Sequence, residues 1–542
     1  MMGSKLKFQV SSAKLTILLA LFLVVFHNIS FWRAVLKVFE TTWSEHIGFI
    51  VAVFVALVVF LNLIFTLLSG RYLLKPIAML IVIAASFASH FMDSYGVLME
   101  RNMLLNALQT DVGETFELVN IQMILNVTLL GFLPAGLIYY TEIDRSLGMM
   151  RFVRLKVVLV SLLVMASIAG VFFQEFASVV RNERHLRHLM NPINFSYALI
   201  TLAKRNLTVG PVVIQAIGED AVLGESQLRN EKNKLFILVV GETARAQNFS
   251  LNGYVRQTNP VLSGEDIINF SDVSSCGTAT ATSLPCMFSK FNRSDYSHAK
   301  GRTYENLLDV LQTASIGVLW RENNSGCKGV CDRVPTDELV ASEVAEFCTT
   351  GECFDEVLLH NLQAYVSGLQ KDTVIVLHQK GSHGPAYYLR YPEAFAVFKP
   401  VCMTNQLHNC QQSEITNGYD NTLLYTDYFL GQVIDFLKQN SVQFDTAMLY
   451  LSDHGESLGE NNLYLHGLPY MMAPEQQTHI PMLLWLPDEV YGQRMNRSCL
   501  EKASQRSLSH DNLFHSVLGF MNVQAKVYSP ELDLFANCQS YI

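Results

Sequence analysis

"AMLYLSDHGESLGENNLYLHGLP", Ala447 to Pro469, opens as a run apolar on both faces and then delivers Asp453 and His454 with no turn residue before them, and Glu456 after Gly455. A strand of that kind is buried on both sides, as a largely parallel sheet covered by helices requires. Four more runs share the pattern: "LFILVV" at 235–240, "IGVLW" at 316–320, "TVIVL" at 373–377 and "MLLWL" at 482–486, separated by helical stretches. We therefore expect an α/β domain with a mostly parallel sheet from about residue 234.

In such sheets ligands gather at the carboxyl ends of the strands. "LFILVV" runs into Glu242, "AMLYLS" into Asp453 and His454, and "TVIVL" into His378 and then "GSHGP" with His383. Two carboxylates and imidazole meeting at one sheet edge form a mixed oxygen and nitrogen set suited to zinc, with manganese the second choice. A single strand-end Glu is weak evidence, and a lone Asp-His pair is usually a hydrogen-bonded turn. Three such ends together point to a metal.

A metal would explain "SCGTATATSLPC", Ser275 to Cys286, in which two cysteines bracket hydroxyl residues. Threonine is a poor nucleophile at neutral pH, and coordination to a metal is one route to an alkoxide. Thr278, Thr280, Thr282 and Ser283 all qualify on chemistry alone. The bland reading is the N-terminus of an Ala/Thr helix with no reactive member.

The rest of the chain supplies an anchor and a compartment. Of 542 residues, 50% are hydrophobic and only 16% charged, too apolar for an ordinary soluble enzyme. Five segments suit a bilayer core of about 30 Å: 15–32, 47–69, 72–92, 119–140 and 157–176. The first is followed by Arg33 and no small-residue cleavage site, so it reads as a retained helix. With a cytoplasmic N-terminus, the inner flanks hold nine basic residues (Lys5, Lys7, Lys14, Arg71, Lys75, Arg145, Arg151, Arg154, Lys156), and the opposite loops hold three (Arg33, Lys37, Arg101). Five spans then place everything after residue 176 outside. The net charge of -9, without an aromatic-interleaved basic tract, argues against a nucleic-acid partner.

All ten cysteines lie between Cys276 and Cys538, in the portion placed outside, which reads as a disulfide framework in an oxidising compartment. Sequence neighbours suggest Cys276–Cys286, Cys327–Cys331, Cys348–Cys353 and Cys402–Cys410, leaving Cys499–Cys538. A zinc ribbon would need paired C-x2-C clusters, which are missing. The organisation expected is a transmembrane domain over 1–178, a basic amphipathic linker over 179–233 and a catalytic domain over 234–542. The linker carries Arg181, Arg184, Arg187, Lys204, Arg205, His185 and His188, which suits an anionic lipid surface or a solvated helix equally.

The set "VVGETARAQNFSLNGY", "SCGTATATSLPCMF", "LWRENNSGCKG", "HQKGSHGPAYY" and "YLSDHGESLGENNLYLHGLP" closely resembles the lipid A phosphoethanolamine transferases, the family of the colistin-resistance enzymes. The likeness spans nearly the whole chain. It implies an alkaline-phosphatase/sulfatase-like α/β domain in the periplasm, behind a five-helix anchor in the Gram-negative inner membrane. By motif, the nucleophile is Thr280 and the zinc ligands are Glu242, Thr280, Asp453 and His454. His383, His466, Asn324 and Lys328 fall where the family handles the phosphoethanolamine group, and the two histidines can hold a second zinc. Asn106, Thr110 and Glu114, in the first long outer loop, match positions linked to the donor head group. The implied reaction is ping-pong transfer from phosphatidylethanolamine to lipid A, and a monomer is expected.

The rivals differ at particular residues. A sulfatase needs C/S-x-P-x-R, and "SLPCM" has Met287 where the arginine belongs. A phosphoglycerol transferase shares the metal ligands, and within the phosphoethanolamine branch a core sugar or glycan is the alternative acceptor. A non-catalytic sensor would have no use for an intact nucleophile and ligand set.

Overall fold

The computed structural model describes residues 8–40, 43–70, 72–99, 101–109, 118–143, 147–183, 186–208, 213–224, 232–339, 344–349, 352–488, 490 and 495–539. Thr110 and Glu114 lie outside these, as do Lys5, Lys7, Arg71 and Arg145 of the charge count and Arg184 and His185 of the basic stretch. The chain forms two units, Met1–Leu104 with Val119–Leu207, and Leu105–Leu118 with Thr208–Ile542.

The first unit is helical: α1 (Ser12–Phe26), α2 (Ile29–Val38), α3 (Trp43–Leu67), α4 (Leu74–Tyr95), α6 (Ile121–Val127) running through a π turn into α7 (Leu133–Tyr140), α8 (Leu147–Val171), α9 (Phe173–Asn182) and α10 (Ile193–Thr208); α5 (Arg101–Gln109), between α4 and α6, begins in this unit and passes into the second at Leu105. Among the described residues, four helices or helix runs are long and apolar enough to cross a membrane, and α1 with α2 makes a fifth if the bent pair is one span. The straight helix expected over 15–32 is thus broken, with 62° between its halves. Asn28 is the cause: its Nδ2 donates to the carbonyls of Leu23 (2.9 Å) and Asn191 (2.6 Å), and its Oδ1 accepts from the Asn191 N–H (2.9 Å). A side chain that occupies a helical carbonyl and ties the break to a distant segment ends one helix and starts the next. Leu19, Leu23, Phe31, Phe49, Leu61, Phe65 and Val82 form the buried centre, and Phe176, Val179, Leu186 and Ile193 pack on it. The stretch from Val179 to Ile193 therefore uses its apolar residues within this unit.

The second unit is built on an eight-stranded sheet: β1 (Asn233–Gly241), β2 (Ile267–Ser274), β3 (Gly317–Glu322), β4 (Thr336–Glu338), β5 (Thr373–His378), β6 (Phe444–Ser452), β7 (His479–Trp485) and β8 (Leu508–Ser509). The order is β8-β2-β7-β6-β1-β5-β3-β4, and β7 alone runs against the rest. Period-two alternation sends Phe236, Leu238 and Val240 into one core and Leu235, Ile237 and Val239 into the other. Leu513, Phe514 and Val517 cover the first face, and α12 (Gln412–Asn440) covers the second with Ile415, Leu423, Phe429 and Leu437. Each such side chain contributes roughly 1.5–3 kcal/mol on burial, so the central strands are the rigid part of the unit. Five disulfides use all ten cysteines in the neighbour pairing, with Cys499–Cys538 the long-range one.

Candidate active site

Because β6, β1, β5 and β3 are adjacent and parallel, their carboxyl ends form one shelf. Glu242 leaves β1, Asp453 and His454 leave β6, His378 ends β5 and Asn324 follows β3. Glu242, Asp453 and His454 are buried, and one ligand atom from each lies within 4.8 Å of the others.

That trio fits a metal on its own geometry. The Asp453 Oδ1 accepts from the N–H groups of His454 (2.8 Å) and Thr243 (3.2 Å), while its buried Oδ2 has no hydrogen-bond donor. An unsatisfied buried carboxylate oxygen is costly unless a cation answers it. The His454 Nδ1 lies 2.9 Å from the Gly455 carbonyl and so carries the proton, leaving Nε2 as the lone pair facing Glu242 at 3.4 Å and Asp453 at 3.5 Å. Burial and the charge of Glu242 push Asp453 up to about 6. Burial also opposes ionisation of Glu242, but the imidazoles of His454, His383 and His466 hold its carboxyl well below the usual range.

The structure separates the four hydroxyls. Thr278 Oγ1 donates to the Leu468 carbonyl (2.6 Å), Thr282 Oγ1 pairs with His298 Nε2 (3.3 Å), and Ser283 Oγ donates to the Asp453 carbonyl. Thr280 alone faces the trio, its Oγ1 lying 3.2 and 3.1 Å from the Glu242 oxygens and 3.3 Å from His454 Nε2. It is the first residue of α11 (Thr280–Met287), where unpaired backbone N–H groups favour negative charge.

Other side chains hold this arrangement. Asn324 Nδ2 donates to Glu242 Oε2 (2.8 Å) and to the Gln379 carbonyl (2.9 Å). Glu322 accepts from the Asn324 N–H (2.7 Å), and its oxygens lie 2.9 and 3.0 Å from His378 Nδ1. Burial disfavours both charges of that pair, yet each partner holds the other ionised, lowering Glu322 and raising His378. His378 thus pairs with Glu322, and the imidazole of the trio comes from His454. Gly381 packs on the Glu242 backbone with a left-handed φ of 54°, and a Cβ there would sit 2.8 Å from the Glu242 carbonyl oxygen. Thr243, at φ 60°, is braced by the Tyr419 hydroxyl (2.8 Å to its carbonyl).

His466 and His383 sit on loops beside the trio, with ring centroids 4.3 Å (His454–His466) and 5.8 Å (His383–His466) apart. His466 Nδ1 lies 2.9 Å from Glu456 Oε2, and the Tyr387 hydroxyl donates to the other Glu456 oxygen (2.6 Å). Burial works against protonation of His466, but the Glu456 carboxylate outweighs it and raises the imidazole to about 9. Lys328, half-buried at φ 51°, donates to Ser325 O (2.7 Å) and Oγ (3.0 Å). Asn106 lies half-buried on α5.

Sequence reasoning passed over Glu322 and His510 and named Glu456 without giving it a role. Glu456 stands three residues after Asp453, and Glu322 two before Asn324, so the signal was proximity to ligand motifs. His510 has none: only the fold brings its Nδ1 to the Cys276 N–H (3.0 Å) and its Nε2 to the Ser452 carbonyl (2.9 Å), fixing the Cys276–Cys286 loop to β6.

Comparison with known proteins agrees with this shelf. The sulfatase family model matches residues 234–523, and the phosphoethanolamine transferase EptA/EptB model matches 57–207. Phosphoethanolamine transferase EptA of Escherichia coli K12 is 40% identical over 529 residues, 96% of each chain. Phosphatidylethanolamine transferase Mcr-1 of Escherichia coli is 38% identical, covering 95% of this chain and 96% of its own. The integral membrane lipooligosaccharide phosphoethanolamine transferase A (EptA) of Neisseria meningitidis superposes with a TM-score of 0.95 at 36% identity, over 98% of this chain and 100% of its own. With its strand-end carboxylates and its threonine on a sulfatase-type sheet behind apolar N-terminal helices, the chain belongs to the phosphoethanolamine transferases of the EptA family.

Proposed function

We propose that this enzyme transfers phosphoethanolamine from phosphatidylethanolamine to a lipid A phosphate through a covalent phosphothreonine-type intermediate at Thr280. The observation that carries the reading is the selection of Thr280: it is the one hydroxyl of its loop directed at Glu242 and His454, while Thr278, Thr282 and Ser283 are bonded elsewhere. The words phosphatidylethanolamine and lipooligosaccharide in the relatives' names agree with the two lipids.

Glu242, Thr280, Asp453 and His454 would hold a zinc ion; His383 with His466 would hold a second only while His466 carries no proton, and the steps that follow take the one-zinc site. When bound, zinc supplies positive charge that lowers the pKa of a neighbouring hydroxyl and offsets charge on phosphoryl oxygens. Thr280 Oγ attacks the donor phosphorus while its proton passes toward the Glu242 carboxylate. The bond from phosphorus to the diacylglycerol oxygen breaks, and that oxygen takes a proton from His466, which Glu456 keeps charged. The N-terminus of α11 and Lys328 favour the negative phosphoryl group, and Asn324 keeps Glu242 in place. A lipid A phosphate oxygen then attacks the same phosphorus while its proton passes to His466, the P–Oγ bond breaks, and Thr280 regains its proton from Glu242. Asn106 on α5, together with Thr110 and Glu114, would receive the donor ammonium.

The working site is the periplasmic side of the Gram-negative inner membrane, with the N-terminus cytoplasmic and the protein acting as a monomer. The added ammonium offsets lipid A phosphate charge and so reduces attraction of polymyxins, including colistin. Mass spectrometry of lipid A from a polymyxin-sensitive host tests the reading. Expression of the wild-type chain should add a phosphoethanolamine increment, and Thr280→Ala should abolish it. Unchanged modification by the variant refutes the nucleophile, and an increment on a core sugar or glycan, or phosphoglycerol in its place, reassigns the chemistry.

A further inference from the structure

We propose that the segment from Phe288 to Tyr304, with Tyr470 beside it, is the landing surface for the acceptor's phosphomonoester head group. This inference rests on lipid A phosphate as the acceptor. Over these 17 residues stand four cations, Lys290, Arg293, Lys300 and Arg302, against one acid, Asp295, in a chain of net charge -9.

How these cations are held matters more than their number. Elsewhere in the unit, arginines are matched to carboxylates: Arg256 to Asp420 (2.9 Å), Arg321 to Asp337 (2.9 Å) and Arg333 to Asp309 (2.6 Å). Here three of the four cations rest on rings, and the Lys300 ammonium also donates to the Asp295 carbonyl (2.6 Å). The Lys290 ammonium lies 4.9 Å from the Tyr304 centroid and that of Lys300 4.4 Å from Phe291, while the Arg293 guanidinium stacks 3.5 Å over Tyr470. An aromatic face orients a cation without cancelling its charge, so an anion can still meet its full field. Asp511 accepts the Arg293 backbone N–H (2.8 Å).

The strip borders the nucleophile loop on two sides. His298 reaches Thr282 on α11 (3.3 Å), two residues from Thr280. On the other side, Thr278 is bonded to Gly467 (2.7 Å) and Leu468 (2.6 Å), shortly before Tyr470 and the exposed Met471. A cationic shelf with an apolar rim fits a phosphate carried on a lipid. It favours the acceptor over the donor, because a phosphomonoester carries up to two negative charges whereas phosphatidylethanolamine carries its own compensating ammonium.

Detergent-solubilised full-length protein allows the two half-reactions to be read apart. The wild type is compared with Arg293→Gln/Arg302→Gln and with that variant carrying Lys290→Gln. Single-turnover release of diacylglycerol from phosphatidylethanolamine should stay within about twofold of wild type, because the donor step does not use the strip. The KM for bis-phosphorylated lipid A should rise roughly tenfold or more, as expected for lost charged contacts, and should depend less steeply on salt. Equal loss of both half-reactions, or loss of neither, overturns the proposal. So does a loss seen only on phosphatidylglycerol vesicles and not in micelles, which would make the strip a membrane contact. If the wild type releases diacylglycerol but never modifies lipid A, the acceptor reading itself has failed and takes this inference with it.

Discussion

Glu242, Asp453 and His454 reach the site directly off adjacent parallel strands, whereas Lys328, His383 and His466 reach it along loops. The strand-borne groups are fully enclosed and follow directly on strands paired to their last residues, Ser452 opposite Gly241, with the Asp453 N–H donating to the Gly241 carbonyl (2.9 Å). The loop-borne groups need dedicated side-chain partners: Glu456 for His466 and Ser325 for Lys328. The fold itself thus supplies the position of the carboxylate–imidazole trio, while the groups proposed to handle substrate depend on local carboxylate and hydroxyl contacts. Substitutions should separate the two kinds.

The largest effect belongs to the strand-borne set. In Asp453→Asn the amide oxygen can keep the bonds from Thr243 and His454, and its NH2 replaces an oxygen that has no donor. Activity should fall by at least ~10³-fold, since a charge aimed at the reacting group is lost. In excess chelator the same variant should unfold at a higher temperature than wild type, because two buried carboxylates no longer oppose each other. Equal or lower thermal stability in chelator would show that the trio is not strained by its own charge.

A smaller effect concerns the bolt between the Cys276–Cys286 loop and β6. Burial lowers the pKa of His510 to about 4, from an ordinary value near 6.5. The folded state refuses a proton that the unfolded chain accepts. The contribution of His510 is therefore complete above about pH 6.5, declines as pH falls to about 4 and is constant below, for up to ~3 kcal/mol. His510→Asn should make denaturant-derived stability less steep across that window, with His515, also lowered to about 4 by burial, supplying what slope remains. An unchanged slope would place the acid sensitivity elsewhere.

The same contrast explains what could be read from the chain alone. Double-faced apolar runs such as "LFILVV" and "AMLYLS" specify buried strands, and a parallel sheet forces the residues that follow onto one edge, so Glu242, Asp453 and His454 are legible by position. Five apolar segments and ten clustered cysteines are equally local signals. The 62° break in the first span was not legible, because it depends on Asn28 meeting Asn191, 163 positions away. The choice of Thr280 among four hydroxyls had the same character: its rivals are excluded by bonds to Leu468, His298 and Asp453, which only tertiary structure brings near. Glu322 and Glu456 carry no pattern of their own and appear only as partners of imidazoles.

Among the loop-borne groups, Glu456→Gln should lower kcat roughly 10- to 100-fold, the usual consequence of losing a carboxylate that orients an imidazole. Its pH profile is the more telling readout. The Glu456 charge keeps His466 protonated up to about pH 9, so a step that needs the imidazolium survives until then. With an uncharged amide the imidazole loses its proton at lower pH, and the alkaline limb of kcat should shift toward the ordinary range near 6.5. A merely structural Glu456 would reduce activity and leave that limb in place.

The smallest effect is expected at Lys328. Its ammonium is already engaged by Ser325 O and Oγ, and its backbone is left-handed beside the Cys327–Cys331 crosslink. To meet a phosphate oxygen it must exchange existing hydrogen bonds for new ones, so its net contribution is the difference between two similar sets. Lys328→Gln should therefore raise the donor KM by roughly 5- to 10-fold and change kcat little, in the range of one charged hydrogen bond. Ser325→Ala should move the parameters the other way or not at all, because it releases the ammonium without removing it. A fall of 10³-fold in Lys328→Gln would put this lysine with the strand-borne groups in importance, and the division between positions set by the sheet and positions set by loops would no longer describe the site.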